Sequence, residues 1–168
     1  DPKSSLTLDT YYKTSADIIG NVNYLYRDGA PDKMGNMTGA YRGSSLSVMN
    51  MVTGYFVNEY EGQEVDCSYA RQLTRQDFTQ SCCNYLTNDT WKSCYKSINV
   101  ANAVIKYVDG VEMDNQAQYK AEARFFRALN YFYLVKMFGD VPMVTEPTED
   151  ATLVEYPTRT AASEVFNT

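Results

Sequence analysis

A chain of 168 residues, 44% apolar and 21% charged, is long enough to bury one hydrophobic core and too apolar to stay disordered. Its longest unbroken apolar run is the five residues Tyr131 to Val135, where a membrane-spanning helix needs roughly 20. A net charge of -6 disfavours nucleic acids and anionic bilayers as partners, and the complete lack of histidine removes imidazole bases, catalytic triads and the commonest metal ligand.

The chain opens on polar residues, Asp1-Pro2-Lys3-Ser4-Ser5, with no basic and apolar leader, as expected once an export signal has been removed. From Asp9 to Tyr26, the residues Tyr12, Ser15, Ile18, Ile19, Val22, Leu25 and Tyr26 share a helical face, which predicts a first helix capped by Asp9 or Thr10. Gly29, Pro31, Gly35, Gly39 and Gly43 then break every period, so 28–43 reads as a loop. Ser44 or Ser45 is placed to cap a second helix with Leu46, Met49, Thr53, Phe56 and Val57 on one face. Between Glu59 and Asp89 no period is sustained, which predicts a long loop of functional kind with a short helix near Arg75 to Leu86.

A third helix is expected after a cap at Asn88-Asp89-Thr90, with a stripe of Trp91, Tyr95, Ile98, Asn102, Ile105 and Val108 that stops at Asp109-Gly110. Trp91, the lone tryptophan, reads as part of that core stripe rather than as a sugar platform. A fourth helix runs from about Asn115 to Phe138, burying Tyr119, Ala123, Phe126, Leu129, Phe132, Tyr133 and Met137, and Gly139 ends it. The short connection makes helices three and four antiparallel neighbours. Arg124 and Arg127, with Glu122, have the makings of a carboxylate-binding fork, but helical spacing points them to neighbouring backbone and to Asp140. Pro142 and Pro147 hold 140–147 extended, and a last helix begins at Ser163-Glu164-Val165-Phe166, cut at its first turn. The sum is an all-α fold of antiparallel helix pairs with long irregular loops.

Four cysteines, Cys67, Cys82, Cys83 and Cys94, lie within 28 residues. No CxxC pair or histidine accompanies them, so zinc is not expected. Adjacent Cys82 and Cys83 are the poorest pair. Cys67 with one of them, and Cys94 with the other, is the easier arrangement, and a loop of about 15 residues closed in this way contributes on the order of 3 kcal/mol in the chain-entropy model. Four reduced, buried thiols are the plain alternative. The acidic run Glu59, Glu61, Glu64 and Asp66 lacks an EF-hand spacing and reads as a solvated loop rather than a calcium site or a glycosidase carboxylate pair.

The C-terminal half carries a more specific pattern. Trp91-x3-Tyr95-x2-Ile98-x2-Ala101-Asn102-x-Val104-Ile105 is followed by Tyr119-Lys120-Ala121-Glu122-Ala123-Arg124-Phe125-Phe126-Arg127-Ala128-Leu129-x-Tyr131-Phe132-x-Leu134-Val135, and then by Phe138-Gly139-Asp140-Val141-Pro142. Taken in order, these blocks resemble the SusD/RagB family; Tyr156-Pro157-Thr158-Arg159-x3-Ser163-Glu164-Val165-Phe166 resembles that family's next helix start. The resemblance is close over Trp91 to Thr168, loose over the first 60 residues and nearly lost from Glu59 to Asp89. It implies a tetratricopeptide-like α-α superhelix in a nutrient-uptake lipoprotein on the extracellular face of a Bacteroidetes outer membrane, tethered by an N-terminal lipidated cysteine absent from this chain. The implied role, in starch or other polysaccharide utilisation, is to capture an oligosaccharide and deliver it to a SusC-like TonB-dependent transporter, without catalysis and without a cofactor. By length, residues 1–168 correspond to roughly the first third of such a protein, its N-terminal helical region.

Carbohydrate sites pair apolar ring faces with planar polar groups. The loop Cys67 to Asn88 offers both: Tyr69, Phe78 and Tyr85 for stacking, and Asp66, Arg71, Arg75 and Asn88 for hydroxyls. The alternative within the same transporter type is a helical module that captures peptides.

Overall fold

The computed structural model describes residues 8–27, 50, 52–56, 74–76, 81–149 and 157–168, with the backbone alone at Asp9, 81–87 and Asp89. The fold is all-α: α1 (Leu8–Tyr11), α2 (Ser15–Arg27), α3 (Ser81–Tyr107), a 3-10 turn at Val108–Gly110, α4 (Gln116–Phe138) and α5 (Ala162–Asn167). Among the described residues there is no strand, only an isolated antiparallel bridge between Val141 and Thr160. No described helix is long and apolar enough to cross a membrane. The chain forms two compact units, Asp1–Arg27 with Tyr95–Thr168, and Asp28–Cys94.

The first predicted helix is broken in two, and the cause is local. Thr14 and Asp17 form a capping box: the Asp17 carboxylate accepts from the Thr14 amide (2.8 Å) and hydroxyl (2.6 Å), while the Asp17 amide donates to Thr14 Oγ1 (3.3 Å). The cap is therefore Thr14 rather than Asp9 or Thr10. Tyr12 leaves the helix to stack, buried, on Tyr107 at 5.4 Å. Burial, with lesser contributions from nearby Tyr11, Tyr107 and Asp17, pushes its hydroxyl up to about 12. The Thr14 hydrogen bonds hold the Asp17 carboxyl below its ordinary value. A depressed folded-state value makes the box stabilising above about pH 4, with the benefit lost as pH falls through that lowered value. Asp17→Asn is thus expected to flatten the acid limb of an unfolding-midpoint-against-pH profile, and an unchanged limb would count against the box.

Helix α3 starts at Ser81, not after Asn88-Asp89-Thr90, so the last nine residues of the predicted loop, 81–89, are helical and the predicted cap lies inside the helix. No glycine or proline interrupts 81–90, and one Asn, Asp or Thr costs only tenths of a kcal/mol in a helix. The buried face of α3 is also wider than the predicted stripe: Thr90, Cys94, Ser97, Ile98, Ala101, Asn102, Val104 and Val108 are buried, whereas Trp91, Tyr95 and Ile105 are half-buried. Small residues occupy the centre of this face, and the large rings lie on its flank.

The α3–α4 connection is short and closed by one side chain. Gln116 Nε2 donates to the carbonyls of Val108 (2.7 Å), which also accepts from the Val111 amide, and of Val111 (3.1 Å), where α3 and its 3-10 turn end. Tyr95 meets Tyr131 edge-on at 6.5 Å, and Arg127 donates to Asn102 Oδ1 at 3.0 Å. Ascending α3 therefore descends α4, the antiparallel pairing expected. Helix α2 packs along α4, where Tyr26 lies edge-on to Phe126 at 4.6 Å and hydrogen-bonds Glu122. The core of this unit is Ile18, Val22, Leu25, Ile98, Ala101, Val104, Val108, Ala123, Phe126, Leu134 and Val141; each large aliphatic member stabilises by about 1.5–3 kcal/mol on burial.

Candidate functional site

Two arrangements position side chains for work, one in each unit. In the first, the chain after α4 is a strap. Gly139 ends the helix at φ 70°, a backbone state open to glycine, and its amide donates to the Val135 carbonyl. Asp140 then uses its carboxylate to accept from the Ala162 amide at 2.9 Å, at the start of α5, and its carbonyl accepts from Arg159. Asp140 thus serves α5, and the expected contact with Arg124 or Arg127 is not formed.

Beyond Val141 the strap lies extended against α3 and α4, and its backbone is read at every second residue. Tyr95 Oη donates to Pro142 O (2.6 Å), and Tyr131 Oη donates to Val144 O (2.9 Å) while accepting from Val144 N (2.6 Å). Asn102 Nδ2 donates to Val144 O and Glu146 O, and Asn99 Oδ1 accepts from Thr148 N at 2.7 Å. Tyr95, Asn99 and Asn102 stand at i, i+4 and i+7 on α3, one helical face, and an extended chain with period two runs beside it. At the far end Glu149 accepts from Lys106 (2.5 Å) and Tyr107 (2.9 Å). Tyr95, Asn99, Asn102 and Tyr131 are therefore the residues that hold the strap.

The intervening Met143 and Thr145 face the other way and form one wall of a cleft of about 750 Å³. Its other walls include Arg124, Phe125, Ala128 and Phe132 of α4 and Val165 and Phe166 of α5. Arg127 also borders it but is committed to Asn102 and the Thr145 carbonyl. Glu122 takes hydrogen bonds from Gln118 and Tyr26, so the fork imagined from Glu122, Arg124 and Arg127 is not assembled.

The second arrangement lies in the unit Asp28–Cys94. The predicted second helix was to carry Thr53 and Phe56 on its buried face, yet residues 52–55 turn and Phe56 is 54% exposed. Asn50 O accepts both the amide (3.2 Å) and the hydroxyl (2.7 Å) of Thr53, and Gly54 takes φ 77°. Leu46, Met49 and Val57, with the loop 28–43, lie outside the described residues. Gln76 Nε2 donates to Val52 O at 3.3 Å and brings the segment 74–76 to this turn.

Of the ligand residues expected from the sequence, Arg75 is exposed beside Gln76, and Asn88 is exposed on α3 rather than in a loop. Asp66, Tyr69, Arg71 and Phe78 lie outside the described residues, as do Glu59, Glu61, Glu64 and the side chain of Tyr85. Tyr55 and Gln76 were not anticipated; the available signal was Gly54 beside an aromatic pair inside a supposed helix. Among the described residues no cluster of Cys, Asp or Glu is placed to hold a metal ion. Cys67 and the side chains of Cys82 and Cys83 lie outside the description, and Cys94 is buried. Because α3 is continuous from Ser81, Cys82 and Cys83 stand about 16–18 Å along its axis from Cys94. That spacing excludes a bridge from Cys94 to either of them.

The family described as "Starch-binding associating with outer membrane", a SusD-like family, matches residues 30–168. The chain is similar to SusD-like protein P25 of Formosa agariphila, at 26% identity over 156 residues, covering 88% of this chain and 28% of the relative. It is also similar to SusD-like protein P2 of the same organism, at 24% identity over 168 residues, covering 99% of this chain and 31% of the relative. The chain thus spans under a third of the length of these curated relatives. No solved structure matches it. With the strap, the helix pair and the Gly139-Asp140-Val141-Pro142 exit all built by blocks inside the matched region, the chain belongs to the SusD/RagB family.

Proposed function

We propose that this chain is the N-terminal helical region of a cell-surface glycan-binding lipoprotein, which captures oligosaccharide and delivers it to a SusC-like TonB-dependent transporter. The observation that carries the reading is the family match over 30–168, whose description names starch binding and the outer membrane. The antiparallel α3–α4 pair is compatible with a tetratricopeptide-like stack, and the strap is the kind of rigid scaffold on which recognition loops are hung. The lipid anchor on the extracellular face, the Bacteroidetes source and the transporter partner belong to this proposal. The role in this reading is binding and not enzymatic: residues 1–168 contain no histidine, and a sugar carrier has no bond to break.

Isothermal titration of the full-length protein against malto-, cello-, xylo- and laminari-oligosaccharides is expected to give heat for at least one member, without product formation. Silence across that panel, with heat from an extended-peptide library instead, would replace the glycan by a peptide. Co-purification with an outer-membrane barrel after detergent extraction tests the delivery step, and repeated recovery of the protein alone would sink it.

A further inference from the structure

Helix α4 carries two apolar faces. One is buried and passes through Ala123, Phe126 and Leu134. The other runs through Phe125, Ala128, Leu129 and Phe132, at i, i+3, i+4 and i+7, the spacing of a stripe that receives another helix, and all four residues line the cleft. Helix α5 covers only one end of that stripe. The Ala162 amide at its start accepts its place from the Asp140 carboxylate, to which it donates just beyond the end of α4, and Phe166, one turn on, meets Phe132 at 6.4 Å. Helix α5 therefore runs antiparallel to α4, from Gly139 towards Phe125, and Thr168 already lines the cleft. Phe125, about 10 Å further along α4 than Phe132, stays 62% exposed, and Ala128 between them is exposed as well.

The cleft is also cationic. Arg124 and Arg127 line it, the Lys136 ammonium lies 5.2 Å from the centre of the Phe132 ring, and no Asp or Glu lines it among the described residues. In a chain of net charge -6 this is a local reversal of sign. It suits a helix whose apolar face is flanked by carboxylates, since flanking charges fix which helices pair and in what register. Arg127 is held by Asn102 and the strap, which leaves the exposed Arg124 to meet such a carboxylate. The chain spans under a third of its curated relatives, so on the reading proposed above most of the full-length protein lies outside residues 1–168. Polypeptide following Thr168 would set out from the wall of the cleft, in line with the uncovered part of the stripe.

We infer that the cleft is an intramolecular helix seat, filled in the full-length protein by the polypeptide following Thr168, which lies along Phe125 and Ala128 as an amphipathic helix and sets a carboxylate against Arg124. The inference rests on the reading of residues 1–168 as the N-terminal region of a longer protein. Two variants of the purified full-length protein test it. Phe125→p-benzoylphenylalanine, close to the parent side chain in shape, is expected on illumination to cross-link within its own polypeptide to a segment beyond Thr168, located by peptide mass spectrometry. Arg124→Lys, treated with a water-soluble carbodiimide, is expected to form an amide from position 124 to an Asp or Glu of that same segment; the parent protein, with no amine at 124, cannot. A cross-linked dimer would give the seat to a second copy and overturn the inference. So would a cross-link confined to residues 1–168, loss of the ketone to solvent with no cross-link, or no amide at position 124. Each of these leaves the glycan reading standing, because sugar titration is measured separately. An intact mass showing no polypeptide beyond residues 1–168 would overturn the seat and the N-terminal-region reading together.

Discussion

Replacing Asn102 with leucine is expected to cost about 3 kcal/mol or more, seen as a large drop in the urea midpoint. The two side chains are close in size and the site is 1% exposed, so packing changes little while three hydrogen bonds vanish. Two of them satisfy strap carbonyls, those of Val144 and Glu146, and the third accepts from the Arg127 guanidinium. A charged donor losing its partner is the dearer loss, about 1.5–3 kcal/mol, against about 0.5–1.5 for each neutral bond. Some of the damage is absorbed, because Val144 O keeps the Tyr131 hydroxyl and Arg127 keeps the Thr145 carbonyl. The estimate is therefore set near the lower end of the sum. Asn102→Asp should retain the Arg127 contact yet lose both donors to the strap. A leucine variant within about 1 kcal/mol of the parent would show that Asn102 does not hold the strap.

Asn102 also marks how far the sequence could be read. Its place on the α3 stripe and in the family block was visible, but its role was not, because the partners lie 42 and 44 residues further on and a helical period carries no information about them. The same holds for Tyr95, which stood on the predicted core stripe, and for Tyr131, which the predicted face of the fourth helix left out; both serve as hydrogen-bonding hooks. The break before α2 was legible in principle: Thr14-Ser15-Ala16-Asp17 fits a capping box, yet the apolar period across it argued for one helix. The start of α3 was hidden for the opposite reason, since Asn88-Asp89-Thr90 imitates a cap at little cost to a helix that simply continues. Gly139 was read correctly because helix termination by a residue with positive φ is a local demand. Of the candidate site, Arg75 was anticipated from its residue type, whereas the exposure of Tyr55 and Phe56 depended on a turn that the apolar period concealed.

The face of α4 was read from spacing alone, and the structure rotates it. The expected buried set included Phe132, which is 45% exposed; the buried set is Ala123, Phe126, Asn130, Tyr131, Leu134 and Val135. The predicted stripe Phe126, Leu129, Phe132 and Tyr133 takes in Phe132, which lines the cleft with Phe125 and, from α5, Phe166. The core instead selects the side where α2 and α3 approach, and there Leu134 is fully buried. Leu134→Ala is accordingly expected to destabilise by about 2–5 kcal/mol, the lost transfer free energy plus the cavity left behind. Phe132→Ala removes edge contacts with Tyr133 at 6.1 Å and Phe166 at 6.4 Å and a Lys136 ammonium 5.2 Å from the ring centre, on a side chain that is already 45% exposed, so its cost should stay near 1 kcal/mol. Urea unfolding of both variants separates the two faces directly. If the phenylalanine variant were the more damaged of the two, the rotation of α4 described above would be wrong, and the strap hooks Tyr131 and Arg127 would have to point elsewhere.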